Sequence, residues 1–180
     1  MRALLQTALV CVVLLAASSP GHAGGIDAQT AFDELKSLEG TWRGKPEGEG
    51  VEAEAEAEKI DEVIHEFRVS AAGTVVMETM GPGTEHEMIN MYHLDGEDLV
   101  LTHYCAGGNQ PSMKLDREKS TVEKLVFDFT GGTNLDPAAD SHIHSAKIKL
   151  GDPNKLESIW ESYAGGKKSG GMIFHLARAD

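Results

Sequence analysis

Five side chains with ligand or nucleophile chemistry fall in two short stretches of this sequence. His86, His103 and Cys105 lie within Thr84–Pro111, and His142 and His144 open the run 142–150. In a strand, residues i and i+2 share a face, so His103-x-Cys105 and His142-x-His144 each present two donors to one side. Sulfur with imidazole suits zinc or copper, and a single axial histidine suffices for haem. Cys105 beside His103 or His86 is also the pairing of a thiol nucleophile with its base. That chemistry needs an accessible, low-pKa thiolate, and oxidising conditions outside the cytoplasm work against it. The alternative is a polar interior network in which each imidazole bonds Asn90, Tyr92, Asn109, Gln110 or a backbone group. Tight metal-ligand spacing is missing, and Asp128, Asp136 and Asp140 lack the EF-hand interval. No catalytic residue is assigned, and no cofactor is favoured, zinc and haem being the compatible ones.

Positioning these groups falls to a β-hairpin. Asp95-Gly96 separates two alternating runs, and a loop of two or four residues leaves the facing unchanged. His86, Met88, Asn90 and Tyr92 then share a face with Leu99, Leu101, His103 and Cys105. Glu85 and Glu87 mark the other face as the solvent side. His86, His103 and Cys105 are therefore expected to look inward together. In the run 142–150, Lys147 and Lys149 point to water, which turns His142, His144, Ala146 and Ile148 inward by period two. Phe127 with Phe129, Trp160 with Leu156, and Phe174 with Met172 and Leu176 complete an aromatic and aliphatic interior.

The rest of the chain continues in the same manner. Short β-like runs are separated by Gly81-Pro82-Gly83, Gly107-Gly108-Asn109, Gly131-Gly132, Gly151-Asp152-Pro153 and Gly165-Gly166. With a strand at Trp42 they make about ten, too closely linked for βαβ crossovers. Sequential antiparallel strands in that number close most readily into an up-and-down barrel, with a two-sheet sandwich as competitor. Residues 28–39 place Phe32, Leu35 and Leu38 at helical spacing, with Asp27 or Thr30 as cap and Gly40 as stop. The acidic segment 47–58 (EGEGVEAEAEAE) is expected to be a solvated connection, although its alternation suits a strand edge and its Ala/Glu content a helix.

Compartment and charge narrow the function. Met1-Arg2, an apolar run 3–18 and Gly21-His22-Ala23 have the pattern of a cleaved leader over residues 1–23. Residues 24–180 then form one exported domain, periplasmic or secreted, with no membrane insertion after cleavage. Cys105 is its single thiol, expected to be buried and inert. The formal net charge of −13 repels nucleic acid and anionic membranes. A neutral small molecule or a cation remains a compatible partner, and oligomeric state is left open.

Leu38-Glu39-Gly40-Thr41-Trp42 after a short helix resembles the Gly-x-Trp start of lipocalin-like (calycin) barrels, and Phe174-His175-Leu176-Ala177-Arg178 resembles their closing strand. The stretches HEM, MYHLDG, LTHYCAGGNQP, FDFTGGTNLD and HIHSAKI are similar to an uncharacterised family of exported bacterial proteins of that type. The resemblance implies an all-β barrel in which Arg178 packs over Trp42 as a cation–π contact. It brings no established activity. The expected function is binding of a small, partly apolar ligand inside the barrel. The expected contacts are His86, Met88, Asn90, Tyr92, Leu101, His103, Cys105, Phe127, Phe129, His144, Trp160 and Phe174. A metal or haem protein using the inner His/Cys set, and a thiol or hydrolytic enzyme, are the alternatives.

Overall fold

The computed structural model describes residues 25–179. The leader assigned to residues 1–23 lies outside the described residues. Helix α1 (Ala28–Lys36) starts at Asp27, whose carboxylate accepts the Thr30 amide at 2.9 Å and the Thr30 hydroxyl at 2.7 Å. This satisfies donors that the first helical turn leaves free. Ala28, Ala31, Phe32 and Leu35 recur at helical spacing and are buried. The helix lies across one end of the barrel, against β4 and β5.

Ten antiparallel strands follow: β1 (Gly40–Glu49), β2 (Val63–Ser70), β3 (Val75–Met80), β4 (Met88–Asp95), β5 (Asp98–Tyr104), β6 (Gln110–Leu115), β7 (Lys124–Thr133), β8 (His142–Asp152), β9 (Lys155–Ala164) and β10 (Lys167–Arg178). Each pairs with its neighbours in sequence, and β1 closes on β10, so the sheet is a closed up-and-down barrel with no free edge. The β4–β5 hairpin closes on the pair Asp95–Asp98, with Gly96 at φ 60° in its two-residue loop. Its register sets Asn90 opposite His103 and Tyr92 opposite Leu101.

The acidic segment is not a solvated connection. Glu47–Glu49 end β1, and Val51–Ala57 fold into a second helix, α2. Alanine and glutamate both favour helix, and Ala53 and Ala57 fall one turn apart on the side that meets the barrel. The helix backbone lies directly on Gly48, where a Cβ would overlap Ala53. α2 thereby covers the barrel end opposite α1.

The barrel is filled unevenly. Trp42, Tyr92, Leu99, Leu101, Met113, Leu125, Phe127 and Ile148 are fully buried with Phe32 and Leu35 in one cluster. Trp42 donates its indole N–H to the Leu38 carbonyl at 2.8 Å, and the Arg178 guanidinium lies 4.3 Å over its ring. The same guanidinium donates to the Glu39 and Ser37 carbonyls at 2.8 and 2.9 Å. It thus satisfies carbonyls just past the end of α1 while stacking on the Trp at the barrel seam.

At that seam Gly44 of β1 faces Leu176 of β10, and a Cβ at Gly44 would collide with the His175 carbonyl. The neighbour is backbone and cannot rotate away. Gly44→Ala is expected to cost ~3 kcal/mol or more by overpacking and local strand separation. Thermal unfolding followed by circular dichroism checks this, and a melting temperature equal to that of the wild type would contradict it.

Candidate functional site

Between the packed half of the barrel and α2 lies a cavity of about 430 Å³. Its walls are Met80, Met88, Met172, Ile143, Trp160 and Phe174, with Val63 and Ile64 from β2. Ile60, just after α2, and Pro82 close over it. Glu56, Glu62, Thr84 and His86 form the polar part of the lining, toward the end where α2 lies.

A buried polar network adjoins the inner end of the cavity. Glu78 on β3 is 1% exposed and receives three donors. His65 Nδ1 lies 2.8 Å from Oε1, while the Asn90 amide N–H and the Tyr92 hydroxyl reach Oε2 at 2.8 and 2.7 Å. Burial, then the charge of Glu78, pushes the Tyr92 hydroxyl well above its usual range, so it stays a donor. Asn90 also places its carbonyl oxygen 2.7 Å from His103 Nδ1. The chain of four strands is thereby tied through one carboxylate.

This chain fixes the state of His103. Only the NH₂ of Asn90 can bond an acceptor carboxylate, so its oxygen faces the imidazole. His103 Nδ1 must carry the proton it donates, which leaves Nε2 with a lone pair. Burial lowers the His103 pKa to about 4, against a smaller opposing effect of Glu78, so the ring is neutral at pH 7. Nε2 is buried and without a hydrogen-bond partner, as is Nε2 of His65. His103 stands on the cavity wall, tilted against Trp160 with ring centroids 5.5 Å apart.

The expected contacts divide into three groups. Met88, His103, Trp160, Phe174 and His86 line the cavity, His86 from a turn before β4 rather than from a strand, and 67% exposed. The strand begins at Met88, so the inward facing predicted for His86 does not hold; Gly81-Pro82-Gly83 turns the chain, and the turn continues to His86. Asn90, Tyr92, Leu101 and Phe127 are interior, but they lie in the network or the packed half and off the cavity wall.

Cys105, Phe129, His142 and His144 lie elsewhere. Cys105 follows the last residue of β5, is half-buried, and accepts the Gly107 amide at 3.3 Å. It lines a separate depression with Asn109, Asp140, Ser141 and His142. The histidines of β8 do not follow the predicted alternation, because the β8–β9 register slips between Ile143 and Ser145. One extra residue exchanges the faces beyond it, so Ile143 and not its neighbours reaches the cavity. His142 donates from Nδ1 to the Asp140 carbonyl at 3.0 Å, and its Nε2 shares a hydrogen bond with His144 Nδ1 at 3.0 Å. His144 stacks on Tyr163 and Phe129 at 3.8 and 4.7 Å, and burial followed by His142 lowers its pKa. The five donors considered for a metal are thus spread over the cavity mouth, the cavity floor and the rim. Among the described residues no three His, Cys, Asp or Glu side chains group as metal ligands.

Sequence reasoning passed over Glu78 and His65. In VVMETM both strand faces are apolar, so alternation alone does not say which side Glu78 takes. Its parity with Val76 and Met80, and the register setting it opposite Asn90 and Phe67, carry that information. His65 alternates with Glu66 and shares parity with Phe67, which marks it as inward.

Fold and cavity together define a ten-stranded antiparallel β-barrel, packed at one end and hollow at the other. No protein-family model matches the chain. No curated protein matches it either. Among solved structures it is similar to a protein of unknown function of the DUF3598 family from Nostoc punctiforme, with a TM-score of 0.44 at 11% identity. That alignment covers 92% of this chain and 54% of the other, so the chain spans about half its length.

The depressed His103 pKa has a consequence for stability. Unfolded, the ring titrates near 6.5; folded, it titrates near 4. The unfolded state therefore binds more protons between these values, and His103 contributes stability above pH 6.5 that is lost as pH falls toward 4. The full loss is about 3 kcal/mol. Urea unfolding at pH 7, 5.5 and 4 is expected to show a steeper decline for the wild type than for His103→Gln. Parallel declines would contradict the assignment.

Proposed function

We propose that this chain is an exported carrier or sensor that holds one small, partly apolar molecule inside its barrel. The observation that supports it is the cavity of about 430 Å³ walled by Met80, Met88, Met172, Trp160 and Phe174, with one polar group, His103, at its inner end. That volume lies in the range of small-molecule sites, and apolar walls with few polar contacts are their usual chemistry. Met side chains adapt to a guest's outline. The leader pattern at residues 1–23 and the resemblance to lipocalin-like barrels favour export and an interior ligand. Strong negative charge favours a neutral or cationic guest over nucleic acid or an anionic membrane.

His103 is poorly suited to general-base catalysis at neutral pH, since its conjugate acid is too strong to hold a proton there. Cys105 faces a different depression, which separates the thiol from the cavity. Binding therefore accounts for the site better than turnover. Haem fits less well, because its propionates at the mouth would meet Glu56 and Glu62.

Two measurements test the reading. The protein expressed with its own leader is expected to carry a small molecule in native mass spectrometry; a Soret band or stoichiometric zinc would overturn it. The wild type is also expected to take up the neutral dye Nile red with enhanced emission. Met172→Trp, which fills the cavity, is expected to weaken that uptake about tenfold or more. Equal uptake by the filled variant would place the dye outside the barrel and contradict the proposal.

A further inference from the structure

We infer that the guest enters with a hydrogen-bond donor leading, a hydroxyl or N–H on an uncharged or cationic apolar body, and that His103 Nε2 accepts from it. The inference rests on the interior-carrier reading and adds the polarity of the ligand. It follows from a sequence of donors and acceptors with one direction. Glu78 Oε2 accepts from Asn90 Nδ2 at 2.8 Å, so Asn90 Oδ1 faces His103 and accepts from Nδ1 at 2.7 Å. Nδ1 is thereby committed, and Nε2 is the one polar atom His103 has left to offer the cavity. It is an acceptor, buried and unpartnered.

A buried acceptor without a partner is costly, and a donor supplied by a guest relieves that cost. Nε2 is covered in the structure, so a guest reaches it by displacing a neighbouring side chain. Met88 and Met172 line the same cavity and are unbranched, which makes them the side chains best able to move. A carboxylate would meet the opposite of what it needs. Its oxygens would face the Nε2 lone pair, with Glu78 one residue behind Asn90, after passing Glu56 and Glu62 at the mouth. Of the basic groups, His86 lines the mouth and His103 is held neutral, while among the described residues no Lys or Arg lines the cavity.

Displacement of Nile red by three naphthalenes of similar shape tests this on the purified chain. 2-Naphthol carries a donor, 2-methoxynaphthalene has lost it, and 2-naphthoate is an anion at pH 7.5. The expected order is naphthol about tenfold tighter than its methyl ether, with naphthoate weakest. His103→Phe is expected to bring naphthol and the ether to equal affinity. Equal affinities in the wild type, or naphthoate binding as well as naphthol, would overturn the donor-led inference and leave an interior carrier standing. No Nile red uptake by the folded chain would overturn both. Should His103→Phe fail to fold, the wild-type series decides alone.

Discussion

A carboxylate inside a barrel has to be answered. β3 puts Glu78 on the inner face between Val76 and Met80, where it is withdrawn from water. Leaving such a group without partners costs several kcal/mol, and breaking one partner of a buried ion-type pair is among the most damaging changes a fold can suffer. The chain answers with His65 from β2 and with Asn90 and Tyr92 from β4, and Asn90 passes the constraint on to His103 of β5. Four adjacent strands thus share one hydrogen-bonded network, which leaves only the Nε2 atoms of its two histidines over. Their relative heights, the orientation of the Asn90 amide and the tautomer of His103 all follow from that single acidic group.

On one side of this network the barrel behaves as a protein core. Large side chains interlock around Trp42, and Arg178 joins the seam to the end of α1 by stacking and by two hydrogen bonds. On the other side the wall residues are methionines, isoleucines and the two aromatic rings of Trp160 and Phe174. Close backbone approach at Gly48 lets α2 seat across this end without displacing β1. Polar and apolar requirements are separated along the barrel axis. Below the network, burial is complete; above it, volume is left.

Much of this architecture is legible in the amino-acid order. Turn residues between alternating runs mark ten strands, and the Asp95-Gly96 hairpin sets Asn90, Tyr92, Leu101 and His103 on one face whatever its loop length. Asp27 and the 3–4 spacing of Ala28, Ala31, Phe32 and Leu35 define α1. Three features escape that reading for physical reasons. A bulge at His144 needs no glycine or proline, so period two carries straight through it and misses that Ile143, rather than the buried His142 or the half-buried His144, reaches the cavity. Glu78 sits in a strand apolar on both faces, where only cross-strand register shows its direction. The Ala/Glu segment balances strand, helix and coil preferences until Gly48 offers it a flat surface to pack on.

The division of the interior also bears on how such a chain can change over time. Side chains that hold the molecule together are concentrated at one end, while those that would meet a guest stand at the other and on connecting segments such as 81–87. Substitutions at Met88, Met172 or along α2 would alter what fits while leaving the Trp42–Arg178 closure and the Glu78 network in place, whereas Met80, whose sulfur accepts from Asn90 Nδ2 at 3.2 Å, belongs to both. Framework and variable surface are separated here in the manner of an antibody domain, but inside a single cylinder. Descendants of one ancestral barrel could therefore diverge in cargo faster than in architecture.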